Sequence, residues 1–255
     1  MPAKALRGLR VLVPRGGKWG DSTAAVLRGE GAIPVIAPMI NFASADDSVV
    51  LANSLHELQD GQFDWIVITS ATTVDVLVGL GVIIPDSTKV VAVGETTGVA
   101  LALANYRVDF APIDNSARGL VAQWRESKVT GRVLVPQSDI PEPTLVSGLA
   151  ELDLDVQFLA VYRTVGVPVS EAVRSDVASG RIGAILVSSG SVARQIADQL
   201  TPLPTTTVVA CIGPRTAFDA RAAGITVDVI AEIRSSDSLV AALVEHVGSL
   251  REPTD

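Results

Sequence analysis

The sequence predicts an α/β protein built from two similar doubly wound parallel-sheet units, and three observations carry that prediction. The chain aligns with itself at a nearly constant spacing. Its apolar, β-branched runs are short and continuous rather than alternating, the mark of strands buried on both faces. Helical patterns separate these runs, as parallel sheets with helical crossovers require. A chain of 255 residues, 48% of them hydrophobic, can bury two cores of roughly 100 to 150 residues each.

Taken in order, the first copy opens on the strand Arg10-Val11-Leu12-Val13-Pro14, then a helical pattern that includes Leu27 and a second strand. A further strand, Trp65 to Ile68, runs into Thr69-Ser70-Ala71-Thr72, whose hydroxyls suit the cap of the following helix. Val90 to Val93 is the next strand, and Gly94-Glu95-Thr96-Thr97 opens the next helix, with Gly94 permitting close backbone approach. Asn115 to Arg118 precedes the last helix. The second copy starts at Arg132-Val133-Leu134-Val135-Pro136, 122 residues on (132 − 10), which also lays Leu27 on Leu149. Its later part lies 119 residues on (189 − 70): Gly183 to Gly190 over Asp64 to Ala71, Gly213 over Gly94, Thr216 over Thr97, Asp228 over Asp109 and Ser235 over Ser116. Ser188-Ser189-Gly190-Ser191 and Gly213-Pro214-Arg215-Thr216 are thus helix-opening loops too, with Pro214 suited to a first helical turn.

Composition removes several function classes. A net charge of −8 without a cluster of Lys and Arg argues against a nucleic-acid partner, since affinity for phosphate backbones needs such clusters. No charged start leads into an apolar signal stretch and no apolar run approaches the length of a membrane span, so a soluble, untargeted chain with no membrane partner is expected. The single cysteine, Cys211, lies in an apolar run as a small buried thiol, and a reducing cytoplasm is the expected location. His56 and His246 are the only histidines and read as surface residues, which disfavours a Ser-His-Asp triad or a His-rich metal site. Asp46 and Asp47 read as a helix start rather than a metal clamp. Glycine-rich nucleotide motifs are missing, so no nucleotide cofactor has support.

In doubly wound sheets, ligands sit beyond the carboxyl ends of the strands, where loops enter helices. Helix N-termini there present free N–H groups to an anion. A Ser or Thr at a helix start is most often an ordinary cap, and duplication copies plain caps as readily as functional ones. Residue types and spacing therefore support a site between the two units for something anionic, with ordinary capping as the alternative.

Taken together, the segments resemble the uroporphyrinogen-III synthase family over roughly Arg10 to Val244. The resemblance is carried by Val11 to Arg15, Phe63 to Ser70, Ala92-Val93-Gly94 with Thr97, Ser116 to Leu120, Val161-Tyr162-Arg163-Thr164, Leu186 to Ser189 and Ile212 to Ala217, in that order. It implies two similar α/β domains joined by a two-stranded linker. One domain comprises residues 1–38 plus 166–255 and the other 43–160, with 37–43 and 158–165 as linker strands. Such a hinge would let a cleft open and close. Pro136-Gln137-Ser138 departs from the Pro-Arg-Gly often found in the family.

The resemblance also implies the reaction. Hydroxymethylbilane, a linear tetrapyrrole, loses its terminal hydroxyl as water to give an azafulvene. Attack by the far end through a spiro intermediate then closes uroporphyrinogen III with ring D inverted, without a cofactor or metal, in a monomer. Tyr162 looks like the group that assists the leaving hydroxyl. The eight substrate carboxylates would meet helix N-termini and hydroxyls at Thr69, Ser70, Ala71, Gly94, Thr97, Ser116, Ser188, Ser189, Gly190, Gly213, Pro214 and Thr216, with Arg15 as cation. Two other classes stay open at this level: a binding or regulatory paralogue without turnover, and a two-domain sugar or amino-acid binding protein, the latter disfavoured by the missing export signal.

Overall fold

The computed structural model of the chain describes residues 4–140 and 143–251. In chain order the first elements are β1 (Arg10–Val13), α1 (Gly17–Gly29), β2 (Ile33–Ile36), β3 (Ile40–Ser44), α2 (Ser48–Gln59), β4 (Trp65–Ile68), α3 (Ala71–Gly79), β5 (Lys89–Ala92), α4 (Glu95–Leu103) and α5 (Ala117–Ser127). There follow β6 (Arg132–Ser138), α6 (Pro143–Ala150), β7 (Asp155–Gly166), α7 (Glu171–Ala178), β8 (Ala184–Val187), α8 (Gly190–Leu200), β9 (Val208–Cys211), α9 (Pro214–Ala222), β10 (Val229–Ile230) and α10 (Ser236–Arg251).

The strands form two five-stranded sheets, in the orders β10-β9-β8-β1-β2 and β3-β7-β6-β4-β5. By the sequence repeat, β1 corresponds to β6, β2 to β7, β4 to β8 and β5 to β9. Each sheet therefore joins the leading strand pair of one copy to the trailing pair of the other, so the two copies exchange halves. Register follows the repeat: Arg10 lies opposite Ile33 and Arg132 opposite Asp155, while Val11 lies opposite Ala184 and Val133 opposite Trp65. Strand β3 corresponds to the end of β7, since residues 40–44 fall on 162–166 at the offset of 122, and it lies beside β7 in the sheet. The counterpart of β10 is reduced to a single bridge between Val91 and Phe110.

The chain accordingly divides into two compact units, one from the residues up to Asn41 together with those from Val165 onward, the other Phe42–Thr164. Both boundaries fall inside the segments expected as linkers. Those segments are partly sheet: β7 pairs with β6 as far as Tyr162, and β3 takes the place beside β7. An extended chain beside a free strand edge satisfies its N–H and C=O groups by pairing, so 158–162 of the expected linker strand also belongs to the sheet. The outermost residues of the domain expected from 1–38 plus 166–255, namely 1–3 and 252–255, lie outside the described residues.

Each sheet is covered on both faces, which explains the continuous apolar strands. In the first unit Leu12, Ile185, Val187, Val209 and Cys211 pack against Val192 and Ile196 of α8 and Ala217 and Ala220 of α9. The alternate residues Val11, Val13, Leu186 and Ala210 pack against Leu27 of α1 and Leu239 and Leu243 of α10. In the second unit Ile66, Ile68, Val90 and Leu134 face Leu58, Val74, Leu77 and Leu101, while Val67, Val91, Val133 and Val135 face Leu120, Trp124, Leu145 and Leu149. Each such aliphatic side chain taken fully out of water contributes about 1.5–3 kcal/mol. Duplication extends to polar detail. The Thr88 hydroxyl donates to the Phe63 carbonyl at 2.6 Å, and Thr207 to Ile182 at 3.0 Å. The Val90 N–H donates to Asp109 at 2.7 Å, and Val209 to Asp228 at 2.8 Å.

Candidate functional site

Strands β1, β2, β8, β9 and β10 run parallel to one another, as do β4, β5, β6 and β7. All loops named from the sequence therefore emerge at the carboxyl edge of one sheet or the other. In the second unit that edge carries Thr69, Ser70 and Ala71 after β4, Gly94 after β5, Ser116 before α5 and Tyr162 in β7. In the first it carries Arg15 after β1, Ser188, Ser189 and Gly190 after β8, and Gly213 and Pro214 after β9. Each rim is internally assembled as its own unit dictates.

Ser70 is the N-cap of α3, its Oγ accepting the Thr73 N–H at 3.1 Å. The same Oγ lies 2.9 Å from the Thr73 hydroxyl and 3.4 Å from the Tyr162 hydroxyl. Tyr162 is held for this contact: its ring is 8% exposed within the core under α3, and Phe42 packs edge-on against it at 5.3 Å between centroids. One hydroxyl of a buried aromatic is thus aimed at the positive end of a helix. Ala71 opens α3, and Thr69, half-buried, precedes the cap.

The other helix starts differ in what they offer. Ser189 caps α8 through the Val192 N–H at 3.3 Å, and Gly190 at its first position leaves no room for a side chain beside the Asp219 carboxylate. Pro214 opens α9 after Gly213, with Arg215 next to it paired to Asp219 at 3.2 Å. Gly94 precedes α4 at φ 97°, left-handed backbone that L side chains rarely adopt, but the first turn of α4 brings Glu95. Ser116 caps α5 through Gly119 at 3.0 Å and donates its own proton to Asp114 at 2.8 Å. Asp114 also accepts the Ser116 N–H at 3.1 Å, so a carboxylate already occupies the start of α5. Thr97 and Thr216 are 2% and 4% exposed, tucked under the first turns of α4 and α9. Arg15 is half-buried with its guanidinium 5.6 Å from the centre of the Trp19 ring.

Four features escape a reading of the residues alone. Asp114 could have been found, because Asp two residues before a capping Ser is a common turn pattern. Phe42 has no such signal in a segment read as linker. Gln137, at the carboxyl end of β6, is 7% exposed with its Oε1 buried and unpartnered, and Ser188 is 5% exposed with an unpartnered Oγ. Burial pushes the Cys211 thiol up to about 12, in keeping with its expected role as inert core. Asp47 caps α2 through the N–H groups of Val49 and Val50 at 3.2 and 2.9 Å. His56 is exposed, whereas His246, expected at the surface, is half-buried on α10, the helix that packs on β8 and β9. No group of His, Cys, Asp and Glu among the described residues is arranged to hold a metal, and no described helix is long and apolar enough to cross a membrane.

Comparison with curated proteins gives no match. Among solved structures, a mutant uroporphyrinogen III synthase of the extremely thermophilic bacterium Thermus thermophilus matches with a TM-score of 0.67, covering 95% of this chain and 100% of its own at 18% identity. The uroporphyrinogen-III synthetase of Helicobacter pylori 26695 matches with a TM-score of 0.65, covering 96% and 100% at 15% identity. At these identities the likeness is one of fold. A family model described as uroporphyrinogen-III synthase HemD matches residues 21–241, from α1 into α10 and across every rim loop except that of Arg15. That span takes in most of the chain and strands of both sheets, and the chain belongs to the uroporphyrinogen-III synthase family.

Proposed function

We propose that Tyr162 is the residue that assists departure of the hydroxyl when this chain closes hydroxymethylbilane to uroporphyrinogen III. As a member of its family the chain is a cyclising lyase of tetrapyrrole biosynthesis. The contact that carries the proposal is the one between the Tyr162 and Ser70 hydroxyls, 3.4 Å apart at the start of α3. Ser70 Oγ accepts the Thr73 N–H, and with the Thr73 hydroxyl, 2.9 Å away, donating to the same oxygen, the serine proton points at the tyrosine oxygen. Negative charge growing on that oxygen as it gives up its proton is then stabilised by the helix end, by about 0.3–2 kcal/mol.

The proton passes to the leaving hydroxyl, which departs as water, and the azafulvene that remains is attacked by the substituted α-carbon of ring D to form a spiro intermediate, in which the old bond from ring D to its neighbour breaks and re-forms at the other α-carbon, inverting the ring. The proton lost when the closed ring regains aromaticity restores the tyrosine. Holding a flexible bilane so that its ends meet contributes more than the acid, because orientation converts an encounter into an intramolecular step. Substrate carboxylates go to the starts of α3, α8 and α9 through Thr69, Ser70, Ala71, Ser188, Ser189, Gly190, Gly213 and Pro214, with Arg15 as the cation, while the buried Thr216 supports the first turn of α9 from beneath. Glu95 and Asp114 make the starts of α4 and α5 poor hosts for a further carboxylate. There Gly94 and Ser116 meet neutral parts of the substrate, and the buried Thr97 supports the first turn of α4. The working enzyme is a cytoplasmic monomer, in which residues 37–43 and 158–165 link domains of residues 1–38 plus 166–255 and 43–160.

Freshly prepared hydroxymethylbilane supplied to the purified chain should emerge as the type III isomer; type I alone, the product of uncatalysed closure, overturns the assignment. Tyr162→Phe keeps the buried ring and removes the acid, and is expected to lower kcat by about 10²-fold. Turnover equal to the parent removes Tyr162 from the chemistry.

A further inference from the structure

Thr73 is fully buried in the first turn of α3, and its Oγ1 has one hydrogen-bond partner among the described residues, the Ser70 Oγ at 2.9 Å. A threonine in a helix can instead return its proton to the carbonyl four residues back, as Thr23 does to Trp19 at 2.8 Å, but no such bond joins Thr73 to Thr69. A buried hydroxyl proton left without an acceptor is unfavourable, so the Thr73 proton goes to Ser70. Ser70 Oγ then accepts twice, from the Thr73 N–H at 3.1 Å and from the Thr73 hydroxyl, and both of its lone pairs are taken. Toward the Tyr162 hydroxyl, 3.4 Å away, it can only donate.

The duplication supplies a control for this arrangement. At the offset of 119 (192 − 73) Thr73 falls on Val192, and at the offset of 122 (162 − 40) Tyr162 falls on Ile40. Val192 is as fully buried as Thr73, and its N–H donates to the capping Ser189 at 3.3 Å in the same way. Ile40 packs against the core cluster that contains Val192. The fold therefore builds this cap with a Val, which has the shape of Thr without its hydroxyl. The buried hydroxyl is present in the copy that has the tyrosine and missing from the copy that has an isoleucine, where there is no acid to direct.

We propose that Thr73 is a positioning residue that fixes the direction of the Ser70 proton and so keeps the phenol proton of Tyr162 for the leaving hydroxyl of the substrate. Without the Thr73 hydroxyl, Ser70 Oγ has a vacant lone pair. Tyr162 can then donate to it, which turns the proton of the acid away from the reacting oxygen. Thr73 touches no substrate and acts through Ser70 and Tyr162. The inference rests on the assignment of Tyr162 as the acid.

The test uses Thr73→Val and Thr73→Ser in the full-length protein, with Thr73→Val also combined with Tyr162→Phe. Thr73→Val should lower kcat about tenfold, less than Tyr162→Phe does because the acid is misdirected rather than removed, and leave KM for hydroxymethylbilane within about twofold of the parent. Thr73→Ser keeps a hydroxyl at the same place and should recover most of that loss. In the Tyr162→Phe background Thr73→Val should change kcat by less than about twofold, since no phenol proton remains to direct. Equal losses from Thr73→Val in both backgrounds, or a Thr73→Val kcat equal to that of the parent, overturn the proposal. So does a loss of kcat in both Thr73 variants that follows a large fall in melting temperature, which would make Thr73 a packing residue only. Tyr162→Phe with the turnover of the parent defeats the assignment of the acid instead, so the two failures are told apart.

Discussion

Asp109 shows what a single carboxylate does for this fold. It accepts the Val90 N–H at 2.7 Å and the Arg107 guanidinium at 3.0 Å, tying the loop after α4 to strand β5. Burial is the largest single influence on its carboxyl and pushes upward, but the bonds from Val90 and Arg107 and the charges of Arg107 and Lys89 together hold it below the usual carboxylate range. A carboxyl depressed in the folded state adds stability that is fully present above its unfolded value, near ~3.9, and is lost as pH falls through its folded value. Asp109→Asn should therefore lower the melting temperature at pH 6 and converge on the parent as the pH falls below about 4. A difference that persists unchanged at pH 3 would assign the effect to packing. At the same scale, Cys211, fully buried with its thiol pushed up to about 12, should resist a thiol reagent at pH 8 in the folded protein and react only after unfolding.

The helix starts are the elements on which both fold and site depend. Ser189→Ala removes the acceptor of the Val192 N–H and should cost about 0.5–2 kcal/mol in urea unfolding, with Ser189→Gly costing only a few tenths. If Ser189 is also a substrate group, both variants raise KM, which a plain cap would not do. These starts were legible in the sequence because Ser70, Ser116 and Ser189 stand where apolar strands give way to helical patterns, and the structure makes each of them a cap. What each start presents was less legible. Asp114 fills the N-terminal end of α5 from outside the helix, and the burial of a Gln at the end of β6 depends on the strands on either side of it, which no residue pattern records. Strand β3 was hidden for a different reason: it reads as connector until a partner edge is present. The exchange of halves could not be read from residue types at all. β1 and β6 have the same apolar pattern, so either could sit beside β4 or β8, and the family resemblance supplied that connectivity.

At the scale of the molecule, the exchange of halves decides which pieces of chain can fold. The second unit is continuous in sequence, Phe42–Thr164, and holds a five-stranded sheet, complete but for the first two residues of β3 and the last two of β7, with cores on both faces. The first is not: β1 and β2 reach it from before Asn41, and β8, β9 and β10 from after Val165. A fragment of residues 42–164 should thus unfold cooperatively in urea, with circular dichroism and Trp fluorescence giving coincident transitions. A fragment of residues 165–251 keeps β8 at an open edge where β1 belongs, exposing Ala184 and Ile185, which are fully buried in the whole chain. An apolar parallel strand left at an edge is a template for association, so this piece should aggregate or lack a cooperative transition. Adding residues 4–41 in trans should restore one, because β1 brings back the Val11–Ala184 and Leu12–Ile185 register. Cooperative folding of 165–251 alone would mean that the leading strand pair is dispensable to the sheet that it joins, against the burial of Val11, Leu12 and Val13 at its centre.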